Sequence, residues 1–130
     1  MRTYDPKDVN VIVDGRYLTG FASGTFVSVE KDEDKYTAYV GAQGEVVRAE
    51  SANNMGKIIV TLEHTSPSNT FLSNLAKRRE PFAAYMIDRG SREVTAGGSQ
   101  CWILKDADED RGSEPSEVEW TIVVADYEKR

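Results

Sequence analysis

The acidic segment from residue 106 to residue 117 has the residue types and spacing of a calcium-binding loop. Acids occupy its first, third and fifth positions (Asp106, Asp108 and Asp110), and Glu117 stands at the twelfth. Alternating oxygen ligands suit Ca²⁺, but such a loop needs a glycine at its sixth position, where this chain has Arg111. The segment is therefore interpreted as a solvated acidic loop. A calcium site is the less favoured alternative, and no metal is expected.

The single cysteine and the single histidine are the other residues that could do chemistry. Cys101 stands in an apolar strand pattern, with no base near it in sequence, and His64 ends a different strand pattern. Most buried cysteines are inert, so a nucleophile–base pair is not favoured. Residues 41–44 (Gly-Ala-Gln-Gly) lack the Gly-Lys-Ser/Thr ending of a phosphate-binding loop. The sequence thus predicts a protein that is not an enzyme and has no cofactor.

Length and charge exclude several further classes. The 130 residues fit one domain, residues 1–130. The net charge of −6 comes from the stretch 106–119, which has seven acids and one arginine, while the remainder is neutral. This distribution argues against a basic nucleic-acid reader. No apolar run approaches the length of a membrane span, and the N-terminus lacks the apolar core of a secretory signal, so no membrane partner is expected.

Alternation of apolar and polar residues predicts that most of the chain forms strands. The alternation is clearest in 9–13, 57–64 and 118–125, where Ile58, Val60 and Leu62 share one predicted core face. Asp14-Gly15 suits a tight hairpin after the first strand. Further strands are predicted at 17–21, 25–30, 36–40, 45–49, 82–87, 93–96 and 99–104.

One segment changes to helical spacing. Ser66-Pro67 resembles a helix start, and Phe71, Leu72 and Leu75 fall on one helical face. Three basic residues precede Pro81, which predicts a helix over residues 67–79. Together these patterns predict a mainly β fold: an antiparallel sandwich or barrel with one flanking helix.

Three stretches of this sequence resemble one family in combination. They are residues 18–30 (from Leu-Thr-Gly-Phe-Ala to Thr-Phe-Val-Ser-Val-Glu), residues 40–48 (Val-Gly-Ala-Gln-Gly-Glu-Val-Val-Arg) and residues 56–69. With the opening Tyr4-Asp5-Pro6 and the later Glu119-Trp120, they resemble the tail tube proteins of contractile-tailed bacteriophages. The resemblance is best from Tyr4 to Leu75 and weaker from Pro81 onward.

The resemblance implies a structural subunit that assembles with itself into hexameric rings. Such rings stack into a tube, with a contractile sheath outside and the tape-measure protein and DNA inside without specific binding. The protein would belong to the virion tail and would assemble in the host cytoplasm. Open alternatives are a tube terminator, a secreted tube of a related system, or a ligand-binding β-sandwich.

Three surfaces are predicted within that scheme. A contact between rings is expected in the segment 39–57, at Gly41, Gly44, Glu45, Arg48, Asn53, Asn54 and Met55, because this polar and glycine-rich span is too long for a tight hairpin. Acids near the lumen are expected at Glu30, Asp32, Glu33 and Asp34, with Glu45 close to them. A sheath-facing surface is expected at Asp106, Asp108, Glu109, Asp110 and Glu114.

Overall fold

A computed structural model describes residues 3–90 and 92–130. These residues form a short 3-10 turn at Pro6–Asp8, ten strands and one helix. The strands are β1 (Val9–Val13), β2 (Arg16–Tyr17), β3 (Val27–Lys31), β4 (Tyr36–Val40), β5 (Val46–Glu50), β6 (Gly56–Glu63), β7 (Phe82–Asp88), β8 (Val94–Ile103), β9 (Glu117–Val124) and β10 (Glu128–Lys129). Helix α1 spans Ser68–Ala76, between β6 and β7. The prediction of a mainly antiparallel β fold with one helix is confirmed.

Eight of the strands form one antiparallel sheet around the core. Its order is β2-β1-β7-β8-β9-β6-β3, and β10 pairs with the first half of β8. The predicted alternation is confirmed in β6, where Ile58, Val60 and Leu62 are fully buried. Side chains from β1 and β6 meet in the same core cluster although three strands separate them in the sheet, so the sheet curves strongly.

The segment 18–22 closes the gap between the two sides of this curved sheet. The amide of Leu18 donates to the carbonyl of Val11 in β1 at 2.9 Å, and the amide of Ala22 donates to that of Thr61 in β6 at 3.1 Å. The predicted strand at 17–21 is therefore wrong beyond Tyr17. Asp14 and Gly15 do form the predicted tight turn, both with positive φ, but the returning chain soon leaves β1 and crosses to β6.

The helix is shorter than predicted. It begins at Ser68 and ends at Ala76, so the predicted boundaries of 67 and 79 are wrong at the C-terminal end by three residues. The amide of Arg78 donates to the carbonyl of Leu75 at 3.0 Å, which closes the last turn. The guanidinium of Arg78 then pairs with Asp14 at 2.7 Å in the first hairpin. The basic residues thus lie beyond the helix.

Buried polar side chains fix the start of the helix. The Trp120 indole donates to the side-chain oxygen of Asn69 at 3.0 Å, and the side-chain nitrogen of Asn69 donates to the carbonyl of Glu63 at 2.9 Å. The Ser66 hydroxyl donates to the carbonyl of Thr19 at 2.6 Å, and the Ser68 hydroxyl accepts from the Thr19 amide at 3.0 Å. Because buried polar groups are costly when unpaired, these bonds hold α1, β9 and the 18–22 segment in one arrangement.

Strand β8 is continuous, whereas two strands had been predicted at 93–96 and 99–104. Gly97 and Gly98, which separate the two predicted strands, lie inside β8. They permit close contacts: a Cβ at position 97 would overlap the carbonyl oxygen of Ala84 in β7. Past them, the Asp126 carboxylate accepts from the Ser99 hydroxyl at 2.7 Å and the Gln100 amide at 3.0 Å, and these bonds lower the pKa of Asp126.

Candidate assembly surfaces

Strands β4 and β5 form a hairpin that stands apart from the main sheet. Among the described residues they pair only with each other, from Tyr36 opposite Glu50 to Val40 opposite Val46, and every residue in both strands is exposed. The turn is closed by the Gly41 amide, which donates to the Glu45 carbonyl at 2.7 Å. An isolated hairpin is only marginally stable in water, so this element is suited to being covered by a partner.

The end of the hairpin is apolar on both of its faces. Cross-strand partners share a face, so Val40 and Val46 lie on one side and Tyr39 and Val47 on the other. These four side chains are 60–71% exposed. Large apolar side chains grouped and exposed in this way are typical of an interaction site. We call residues 39–47 the hairpin tip.

The predicted contact residues between rings divide into two groups in the structure. Gly41, Gly44 and Glu45 lie in the hairpin tip. Arg48 lies next to it, with its guanidinium 4.0 Å from the centroid of the Tyr36 ring, a cation–π contact that stiffens the hairpin.

The residues that follow β5 belong to the base of the hairpin. The Asn54 carbonyl accepts from the Tyr127 amide at 2.9 Å, and the Met55 carbonyl accepts from the Asp32 amide at 3.0 Å. The Asn53 side chain accepts from the Met55 amide at 2.9 Å. Asn53, Asn54 and Met55 therefore attach the hairpin to the body and do not share the tip.

The acids predicted near the lumen lie at the same base. Glu30 is exposed in β3 opposite Lys57, and Asp32, Glu33 and Asp34 form the turn that leads to β4. The Glu33 carboxylate accepts from the Ser51 hydroxyl at 3.1 Å. Glu45, which had been grouped with them, lies at the opposite end of the hairpin.

The acidic stretch 106–116 is a coil between β8 and β9. The predicted sheath-facing acids (Asp106, Asp108, Glu109, Asp110 and Glu114) are all exposed. Asp106 accepts from the Ser73 hydroxyl of α1 at 3.1 Å, so the coil begins beside the helix. Within residues 3–90 and 92–130, no three His, Cys, Asp or Glu side chains are grouped as a metal site would require.

Cys101 and His64 lie beside opposite ends of strand β9. Cys101 pairs with Val124 in β9, whereas the His64 ring bonds to the backbone of Ser116, just before β9 begins. About eight residues of nearly extended chain, or ~26 Å, separate Ser116 from Val124. Burial raises the pKa of the Cys101 thiol to about 11, so it stays protonated at neutral pH. The geometry does not form a nucleophile–base pair.

An apolar groove is the feature that the sequence analysis did not find. Its floor consists of Val9, Leu18, Phe21 and Phe26, and its volume is about 520 Å³. The Phe21 and Phe26 rings lie 4.9 Å apart between centroids. The only sequence signal was two phenylalanines in a glycine-containing stretch, which had been assigned to strands. We call this feature the Phe21–Phe26 groove.

Helix α1 is nine residues long, and no helix in the described part of the chain could cross a bilayer. The sequence of this chain also matches a known protein family. The model of the bacteriophage PhiTE tail tube protein family matches residues 1–129. The chain belongs to this tail tube family. The predicted resemblance to phage tail tube proteins is thereby confirmed.

A curated relative also comes from a bacteriophage. The structural protein ORF10 of Pseudomonas phage KPP10 is 37% identical over 79 residues, which cover 56% of this chain. The matched segment spans 46% of that protein, so the chain aligns with about half the length of this relative.

Solved structures share the fold at low sequence identity. A chain of the anti-feeding prophage cap, the AFP tube terminating cap, aligns with 100% of this chain and 92% of its own, with a TM-score of 0.63 at 10% identity. A chain of the sheath–tube complex of an extracellular contractile injection system aligns with 94% and 87%, with a TM-score of 0.61 at 12% identity. A chain of a native gene transfer agent particle aligns with 95% and 95%, with a TM-score of 0.58 at 16% identity.

Proposed function

We propose that this chain is the repeating subunit of a phage tail tube, and that hexameric rings of it stack into a conduit for DNA during ejection. The family match over residues 1–129 carries the proposal. The projecting hairpin supports it, because a subunit of a stacked assembly needs a surface that reaches a second copy. The protein is then a virion component assembled in the host cytoplasm, in contact with itself, sheath, tape-measure protein and DNA.

Within this tube, the hairpin makes the contact between rings. Gly41, Gly44, Glu45 and Arg48 belong to the contacting part, and Asn53, Asn54 and Met55 hold its base. Burying the four apolar side chains of the tip against another copy removes them from water, and each large aliphatic or aromatic side chain so buried contributes ~1.5–3 kcal/mol before the cost of association.

The acids at the hairpin base are assigned to the lumen. Glu30, Asp32, Glu33 and Asp34 lie in one exposed stretch with Lys31 and Lys35, and Lys57 is the cross-strand neighbour of Glu30, which leaves a small excess of negative charge. A surface with excess negative charge repels phosphates, so DNA would slide past it without binding. The position of these side chains in an assembled tube tests the assignment, which fails if they lie on the outer wall.

The acidic coil is assigned to the outer wall, where it faces a sheath subunit with a basic surface. Replacing Asp108, Glu109 and Asp110 with Ser is expected to weaken sheath recruitment to preformed tubes at least about threefold at low salt, because each exposed ion pair contributes ~0.2–1 kcal/mol. The salt dependence should also become shallower. The measurement is sheath co-sedimentation with tubes over a range of ionic strength.

The control for this experiment removes the same charge elsewhere, at the exposed residues Glu63, Glu80 and Glu93. That variant should recruit sheath as wild type does. If the 108–110 variant also recruits sheath with unchanged affinity and salt dependence, the coil has no role in sheath binding.

A tube terminator is the second candidate, because a terminating cap shares the fold over the whole chain. Electron microscopy of the purified protein separates the two. A tube subunit forms hollow tubes whose length grows with protein concentration, whereas a terminator stops at single rings. A monomer that stays monodisperse at every concentration and binds a sugar would contradict both and favour a ligand-binding module.

A further inference from the structure

The hairpin and the Phe21–Phe26 groove lie toward opposite ends of the same strand. Phe26 immediately precedes β3, and the turn into the hairpin immediately follows it. Five residues of strand place ~13 Å between its first and last positions. Because every residue in both hairpin strands is exposed, the hairpin does not fill the groove of its own chain.

The two surfaces match in chemistry. The floor of the groove is aliphatic and aromatic, and so are the four exposed side chains of the hairpin tip. Among the described residues that line the groove, Lys7 is the one with a charge. Glu45 is the one charged residue in the tip, residues 39–47. A tip placed in the groove would therefore bring one positive and one negative side chain together.

We infer that the hairpin tip of one copy binds in the Phe21–Phe26 groove of another copy, with Tyr39 among the groove phenylalanines and Glu45 beside Lys7. The inference rests on the proposed function and adds the surface that receives the hairpin. A protrusion and a groove at different places on one subunit make a heterologous contact, and such contacts repeat into open helical assemblies when the rotation does not close. A stacked tube is an assembly of this kind.

Tyr39 is the expected anchor of the contact. Aromatic side chains seated in apolar pockets carry a large share of the energy at protein interfaces. Tyr39→Ala should therefore raise the protein concentration needed for tube formation at least tenfold. This variant shows that the tip is used, and the groove is tested by exchanging the two charges.

The charge exchange uses Lys7→Glu, Glu45→Lys and the double variant. Each single variant places like charges together and should raise the concentration needed for assembly at least threefold, because like charges at close range repel. The double variant should return to within twofold of wild type. Assembly is measured by ultracentrifugal pelleting at increasing protein concentration, and Arg79→Glu, at an exposed position after α1, is the charge-reversal control.

Recovery in the double variant supports docking of the tip in the groove. Wild-type assembly by Lys7→Glu, or failure of the double variant to recover, overturns it. If Tyr39→Ala still blocks assembly in that case, the tube function stands and the hairpin binds elsewhere. Absence of any assembly by the wild-type protein would overturn the tube function, and the docking inference with it. Circular dichroism and thermal unfolding confirm that each variant is folded.

Discussion

Replacing residues 36–50 with an Asn-Gly turn is expected to give a folded protein that forms no tubes. The deletion removes both strands of the hairpin and leaves Lys35 opposite Ser51, whose amide donates to the Lys35 carbonyl at 2.8 Å. Asn-Gly closes such a pair as a two-residue turn. The pairing of Asp32 with Met55 at the base is retained, so the body of the protein should be unchanged.

The free energy of unfolding should stay within about 1 kcal/mol of wild type, because the removed residues are exposed and a shorter loop costs less entropy to close. Tube formation should be lost at every concentration tested by electron microscopy and pelleting. As a matched control, replacing the exposed coil 108–113 with Gly-Ser-Gly should leave tube formation intact. Normal tubes from the shortened hairpin would show that the hairpin is not the contact between rings.

Gly97→Ala is expected to lower the free energy of unfolding by at least about 3 kcal/mol. The backbone at Gly97 has φ of +148°, which L side chains rarely adopt. An added Cβ would also overlap the Ala84 carbonyl in the neighbouring strand, which is backbone and cannot move aside without breaking the pairing of β7 with β8. Strands β7 and β8 lie in the interior of the sheet, so the destabilisation should affect the whole fold.

Urea denaturation followed by circular dichroism measures the effect on purified monomer. Gly112→Ala is the matched control, since nothing lies within 4 Å of its Cβ position, and it should change stability by less than about 0.5 kcal/mol. A Gly97→Ala protein as stable as that control would mean that β7 and β8 do not approach as closely as described.

Elements with a strong local pattern could be predicted from the sequence. The strands β1, β6 and β9 alternate because one of their faces is buried, and their core faces were identified correctly. The hairpin strands β4 and β5 were placed within one residue. Phe71, Leu72 and Leu75 indicated the packed face of α1, because helical spacing brings them to one side.

Features that depend on contacts distant in sequence could not be predicted. From local sequence alone, Gly97 and Gly98 predict an interruption between two strands. The close approach of the neighbouring strand β7 explains why glycines lie there. The chain leaves β1 after Leu18 because Gly20 and Ala22 bond to β6, about 40 residues later. The Phe21–Phe26 groove exists only because this crossing brings Val9, Leu18 and both phenylalanines together.

The positions of the predicted surfaces also depend on how the chain folds and could be predicted only in part. Residues near one another in the sequence, such as Glu45 and Asn53, were grouped as one contact, but in the structure Glu45 lies at the hairpin tip and Asn53 at its base. The acids of the 106–116 coil were correctly expected to be exposed, because many like charges cannot be buried together without a partner. Which partner faces them remains a prediction.

A cryo-electron microscopy reconstruction of tubes assembled from the purified protein tests the central claim most directly. The account predicts a hollow tube of stacked rings, in which residues 39–47 of each copy are buried against a copy in the adjacent ring. The claim would be contradicted by a tube in which the hairpin projects into solvent, or in which its tip touches only copies of its own ring.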